Sequence, residues 1–164
     1  MTSQKPEASQ PSSTLLSVLL SLPGALALSP FRRDRLLKEM QSRVPGLTGV
    51  TALYWHFVAL DSELDARGRV LLERLLTYGP ATEVVQAKPA IDLLVIPRLG
   101  TISPWSTKAT DIAHCCGLKQ IRRIERGVAW QFSKNDGGAL TATEREASYH
   151  WHLEITPRTS IPTG

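Results

Sequence analysis

A chain of 164 residues, 42% of them hydrophobic, has the length of one domain and enough apolar material for a core, which excludes a wholly disordered or fibrous protein. The formal charge of +4 arises from acidic and basic residues interleaved along the chain, so charge alone does not point to nucleic acid or to a membrane surface. Both cysteines, Cys115 and Cys116, are sequence neighbours; that is poor geometry for a disulfide, and a reducing compartment is the expectation.

Met1 to Ser13 is rich in Ser, Gln and Pro, with no apolar residue larger than Ala beyond the initiator. It cannot feed a core, and residues 1–22 are expected to be a disordered tail leading into the first strand. Leu15 to Leu28 is apolar and ends in small residues, as a secretory signal would. Three features oppose that reading: a long preceding segment whose Lys5 is offset by Glu7, the Pro23-Gly24 interruption, and no cysteine framework. The run is also shorter than the ~20 residues a membrane span needs, so a first β-strand is expected and no membrane partner.

Ser29-Pro30 offers an N-cap hydroxyl and a first-turn proline, Leu36, Leu37 and Met40 form an apolar stripe, and Pro45-Gly46 closes this first helix. Val50 to Leu60, rich in Val and aromatics, predicts a central strand. In Asp61 to Tyr78 the pairs Leu71/Leu75 and Leu72/Leu76 repeat at helical spacing before Gly79-Pro80. Ile91 to Ile96 predicts a strand, and Ser103-Pro104 starts a third helix with Ala109, Ile112, Ala113 and Cys116 on one face and Gly117 as a left-handed stop. From Ile121 to Phe132, Ile124, Val128, Trp130 and Phe132 share one face of a strand with Arg122 and Arg126, and a bulge at Gly127 is expected to re-phase it. The fold class this order predicts is α+β: a small, mainly antiparallel sheet with helices packed on one face, built from repeated β-α-β units.

The chemistry-bearing residues do not assemble into an enzyme. His114, Cys115 and Cys116, even with His150 and His152, cannot converge on one ion, because adjacent helical side chains diverge by about 100°. Cys116, on the apolar stripe, is expected to be buried and inert. Gly100 to Ser103 leads into a helix N-terminus where an anion could sit, but it has neither phosphate-loop nor dinucleotide-loop spacing. A capped helix with a tight turn is the simpler reading there. Arg32, Arg33 and Arg35, with Arg122, Arg123 and Arg126, lack an aromatic platform or reading motif for nucleic acid. No catalytic residue, metal ligand or nucleic-acid partner is assigned, and a binding or scaffolding domain follows.

Against this background PRLGTISPWSTKATDIAHCCGL, LERLLTYGP and IERGVAWQF resemble the N-terminal domain of the large single-chain phosphoribosylformylglycinamidine synthase, with similarity from about Pro23 to Ala147. The resemblance implies a cytoplasmic ligase of purine biosynthesis that uses ATP, magnesium and glutamine-derived ammonia to convert formylglycinamide ribonucleotide into its amidine. In that family the synthetase halves bind ATP, a distant glutaminase carries a Cys/His/Glu triad, and the N-terminal domain, similar to a dimer of a small separate subunit, helps join them. Neither catalytic region is expected here, so the fragment is expected to bind no cofactor and not to catalyse alone. Its expected partners are the remaining synthetase and glutaminase domains.

The synthase-like domain is placed at 23–133, and 134–164 is read as the start of a linker and an aberrant polar tail. Leu99 stands where proline is common and Cys115 where asparagine is common. After Ala147 the segment SYHWHLEITPRTSIPTG does not continue the pattern, and a frameshift or premature end in the source gene is the expectation. Interdomain contact is assigned to Thr101, Ser103, Trp105, Ser106, Lys108, Thr110 and Asp111, because Trp anchors interfaces while hydroxyls and charges fix register. The alternative is a free-standing small domain that binds an anion or nucleotide near Ser103.

Overall fold

The computed structural model describes residues 18–78, 91–98, 100–146 and, as backbone alone, 159–162. The expected disordered tail up to residue 17, the Gly79-Pro80 stop, Leu99, His150 and His152 lie outside the described residues. The elements run β1 (Val18–Leu26), α1 (Pro30–Gln41), β2 (Leu47–Leu60), α2 (Ala66–Leu76), β3 (Leu93–Ile96), α3 (Pro104–Cys115), β4 (Ile121–Lys134) and β5 (Thr159–Pro162).

Each helix begins where a short polar side chain can take an otherwise orphaned N–H. Ser29 accepts from Arg32 N at 3.4 Å, Asp65 from Gly68 N at 2.7 Å and Ser103 from Ser106 N at 3.0 Å. Asp65 explains why α2 starts at Ala66 and not at Asp61: the carboxylate four residues on is the better cap, and the chain bends before it.

The sheet order is β1-β2-β4-β3-β5 and every neighbouring pair is antiparallel, which makes the fold α+β as the pattern predicts. β2 and β3 run the same way with β4 between them, a split β-α-β arrangement. β5 has no counterpart in the sequence expectation. Its four residues pair with the outer edge of β3, Ile161 opposite Leu94, and its terminal Pro162 sits in an edge strand, where a missing N–H is tolerated.

β2 pairs with β4 without irregularity from Gly49 to Ala59, so Val50, Ala52, Tyr54, His56 and Val58 share a face. Leu36 and Met40 of α1 pack there with Val50, Ala52, Leu93, Val95 and Trp130. Leu72 and Leu76 of α2 and Ala113 of α3 pack with Val58, Leu60, Ile121 and Ile124. All three helices therefore cover one face, and side chains as fully buried as Leu72 and Ile121 each contribute about 2 kcal/mol.

The bulge expected at Gly127 is absent. The extra residue of β4 falls at Arg122, since Ala59 pairs with Arg123 but Leu60 with Ile121, and this re-phasing lets both Ile121 and Ile124 reach the core. Gly127 is needed for a different reason: a Cβ there would lie 2.7 Å from the Val95 carbonyl oxygen, too close for any side chain where β3 crosses against β4.

Candidate functional site

The segment singled out in the sequence, Gly100 to Leu118, forms a turn and then α3. Its start is fixed by Ser103 and Pro104. Its end is a Schellman motif: Gly117, at φ +89°, sends its N–H to His114 O, and Leu118 N–H reaches Ala113 O, both at 3.0 Å. This motif corrects the expectation for Cys116. The helix stops at Cys115, Cys116 becomes the C-cap and is exposed like its neighbour, and Leu118 takes the buried position.

α3 is fastened to β4 by its own hydroxyls. β3 pairs with β4 only from Val128 to Trp130, so Ile124 lies beyond its end. There Ser106 Oγ donates to Ile124 O at 2.6 Å, and Thr110 Oγ1 accepts Ile124 N–H at 3.0 Å while donating to Ser106 O at 2.8 Å. A turn later His114 Nε2 meets Ile121 O. Ser106 is 1% exposed, so its side chain is committed to the interior.

The other assigned residues are distributed differently. Thr101, exposed, donates its hydroxyl to Arg98 O at 2.6 Å, and its carbonyl accepts from Arg123 at 2.8 Å. Ser103 is half-buried between its cap bond and Glu125. Lys108 and Asp111 are exposed; with Ile112 and Cys115, also exposed, they follow i, i+3, i+4, i+7 along the outer side of α3. Trp105, half-buried in the first turn, packs against His56 and Arg126 of the sheet.

Around Trp105 the fold gathers residues that sequence reasoning did not combine. Arg126, on the helix-covered face of β4, places its guanidinium 4.2 Å from the Tyr54 ring centre and 4.5 Å from that of Trp105, with Tyr78 at 5.9 Å. Its Nη1 donates to Tyr78 Oη at 3.1 Å, and the same oxygen lies 2.9 Å from His56 Nε2. His56 also stacks on Trp105 with ring centres 5.7 Å apart. One signal was available in the sequence: Arg126 shares the parity of Ile124, Val128 and Trp130, which puts a cation on a buried face.

The electrostatics follow from burial beside a fixed cation. His56 is fully buried, and burial first, then the Arg126 charge, lowers its pKa from 6.5 to about 4, with the Leu22 backbone opposing slightly. Among the described residues its Nδ1 has no hydrogen-bond partner by distance and angle. Burial raises the Tyr78 phenol above its usual value, against the pull of Arg126. Both groups are therefore neutral near pH 7 and Arg126 supplies the charge.

This cation faces a cleft of about 560 Å³ lined by Pro97, Arg98, Thr101, Ser103, Trp105 and Arg126. The six arginines considered for a basic face do not form one surface. Arg32, Arg33 and Arg35 are exposed on α1, Arg122 lies 3.8 Å from Asp61, Arg123 pairs with Glu125 on the opposite face of the sheet, and Arg126 is caged. Among the described residues no group of three or more His, Cys, Asp or Glu is placed to hold a metal ion, and no helix is long and apolar enough to cross a membrane.

A family model for the N-terminal region of formylglycinamide ribonucleotide amidotransferase matches residues 53–158, more than half of the 164-residue chain. The matched span contains α2, β3, α3, β4 and every residue of the Arg126 cluster. The chain belongs to this family of N-terminal domains, and so to the phosphoribosylformylglycinamidine synthase of purine biosynthesis.

Proposed function

We propose that this domain serves the synthase as an interdomain piece that holds its catalytic domains in register and does not itself catalyse. The observation that carries the reading is the outer side of α3 within the family match. Lys108, Asp111 and Ile112 are exposed there, Ile112 by 47%, and Ile102, 65% exposed, precedes the helix cap. Apolar side chains flanked by opposite charges suit a docking surface, where burial gives affinity and charge fixes orientation. The partners are the synthetase and glutaminase domains of the same enzyme, which would supply the ATP, magnesium and glutamine chemistry. Within this reading Ser103, Ser106 and Thr110 set the position of α3, while Thr101, Lys108 and Asp111 make contact and Trp105 braces the helix against the sheet.

The test is to mix the purified chain with a separately expressed remainder of the synthase and follow glutamine-dependent phosphate release from ATP. Activity that appears only in the mixture supports the structural role. Activity of the remainder alone, unchanged by adding the chain, removes it.

A further inference from the structure

We infer that the cleft between Pro97, Arg98, Thr101 and Ser103 and the aromatic cluster is an oxyanion site, and that its ligand is a phosphate group, free or carried by a small phosphate monoester. Arg126 is half-buried, yet among the described residues it has no carboxylate partner, and one of its five N–H donors is spent on Tyr78. Tyr54 and Trp105 hold the guanidinium plane at 4.2 and 4.5 Å. A cation fixed in this way loses little conformational freedom when it binds an anion.

Arg98 also lines this cleft, exposed and likewise without a carboxylate partner among the described residues, and its side chain is long enough to carry a second guanidinium to an anion held there. Among the described residues no acidic side chain lines the cleft. The nearest carboxylate on β4, that of Glu125, is turned to the other face of the sheet and engaged by Arg123 and Ser103. The hydroxyls of Thr101 and Ser103 already donate, to Arg98 O and Glu125, so among the described residues the side-chain donors left to the cleft are the guanidinia and the Trp105 indole N–H. At the α3 N-terminus Pro104 has no N–H and those of Ser106 and Thr107 are taken by Ser103, so the helix offers one backbone donor at most, that of Trp105.

Two guanidinia with no competing acid match a tetrahedral dianion better than a single carboxylate, because each can supply a pair of parallel N–H donors to separate oxygens. The volume of about 560 Å³ is larger than a bare phosphate requires and falls in the range of small-ligand sites. Trp105 and Pro97 give an apolar wall for the rest of a monoester. This assignment concerns the sheet side of α3 and shares only Thr101 with the residues that make contact in the proposed interdomain role.

The experiment titrates the full chain at fixed ionic strength with inorganic phosphate, AMP and acetate, following the Arg Nε–H and Trp indole N–H resonances by NMR. Saturable shifts at Arg126 and Trp105 with phosphate or AMP are expected. Arg98→Gln, on an exposed segment where the fold is not at stake, is expected to weaken binding by about tenfold, and Arg126→Gln to abolish it. AMP binding tighter than phosphate identifies a monoester as ligand, and equal affinities identify the phosphate group alone. Absence of saturation, acetate binding as tightly as phosphate, or phosphate binding unchanged in Arg98→Gln overturns the assignment.

Discussion

Ser106 and Ile124 are joined by a 2.6 Å hydrogen bond from hydroxyl to carbonyl, and it stands where a strand would otherwise continue. With Thr110 accepting from the same residue's N–H, helix side chains satisfy a stretch of β4 backbone that β3 is too short to reach. Buried backbone groups need partners, so two hydroxyls one helical turn apart fix both the height and the rotation of α3. The position of Trp105 over Arg126 depends on that fastening.

Replacing Ser106 with Ala leaves the Ile124 carbonyl buried without its partner. A loss of about 1–3 kcal/mol in unfolding free energy is expected, read as a lower urea midpoint at unchanged slope. Thr110→Val should cost a similar amount by stranding the N–H. Because the hydroxyls serve one residue and bond each other's turn, the double variant should lose less than the two single losses together. Strict additivity would mean that the two bonds act independently.

Gly127→Ala tests the close approach of β3 to β4. The added Cβ would meet the Val95 carbonyl at 2.7 Å and the Ile96 side chain at 3.2 Å, and backbone cannot rotate away as a flexible side chain can. Destabilisation of at least about 2 kcal/mol is expected. A variant as stable as the parent in urea would show that β3 can shift outward at little cost.

The legible parts of this fold were those written locally. Ser29-Pro30, Ser103-Pro104 and Gly117 each carry a helix boundary in two or three residues, and the structure places caps and stop there. What depended on distant chain was not legible. β5 pairs with β3 across more than sixty residues, and its Pro-flanked sequence has no strand signal of its own. Cys116 fell off the apolar stripe because the helix ended one residue earlier than the stripe implied. The cluster of Tyr54, His56, Tyr78, Trp105 and Arg126 draws on β2, α3, β4 and the segment just after α2; only the parity of Arg126 hinted that a cation turns inward.

His56 should make the domain acid-sensitive. Its folded pKa is about 4 against an unperturbed 6.5 for the unfolded chain, so between these values the unfolded chain binds a proton that the folded chain refuses. Stability is then full above pH 6.5, falls as pH drops, and levels off below about 4. Between pH 7 and pH 5, where most carboxylates are still ionised, this one group should remove about 2 kcal/mol. Urea unfolding at the two pH values should show that difference in the parent and lose it in His56→Gln. An equal pH dependence in both proteins would assign the acid sensitivity elsewhere.

The outer side of α3 separates a docking role from a folding role. Lys108 and Ile112 are exposed, so Lys108→Glu and Ile112→Asp remove nothing from the core and should change stability by no more than about 0.5 kcal/mol. If this surface docks on the rest of the synthase, each variant should raise the concentration needed to restore glutamine-dependent ATP turnover in the mixture by about tenfold, the cost of one lost interface contact. Ser106→Ala should behave in the opposite way, losing stability while its dose response changes little at temperatures where it stays folded. Were the surface variants to restore turnover like the parent, docking would have to use another face, and the helix-free side of the sheet around Phe57, Leu94 and the exposed Leu19 would be the next to substitute.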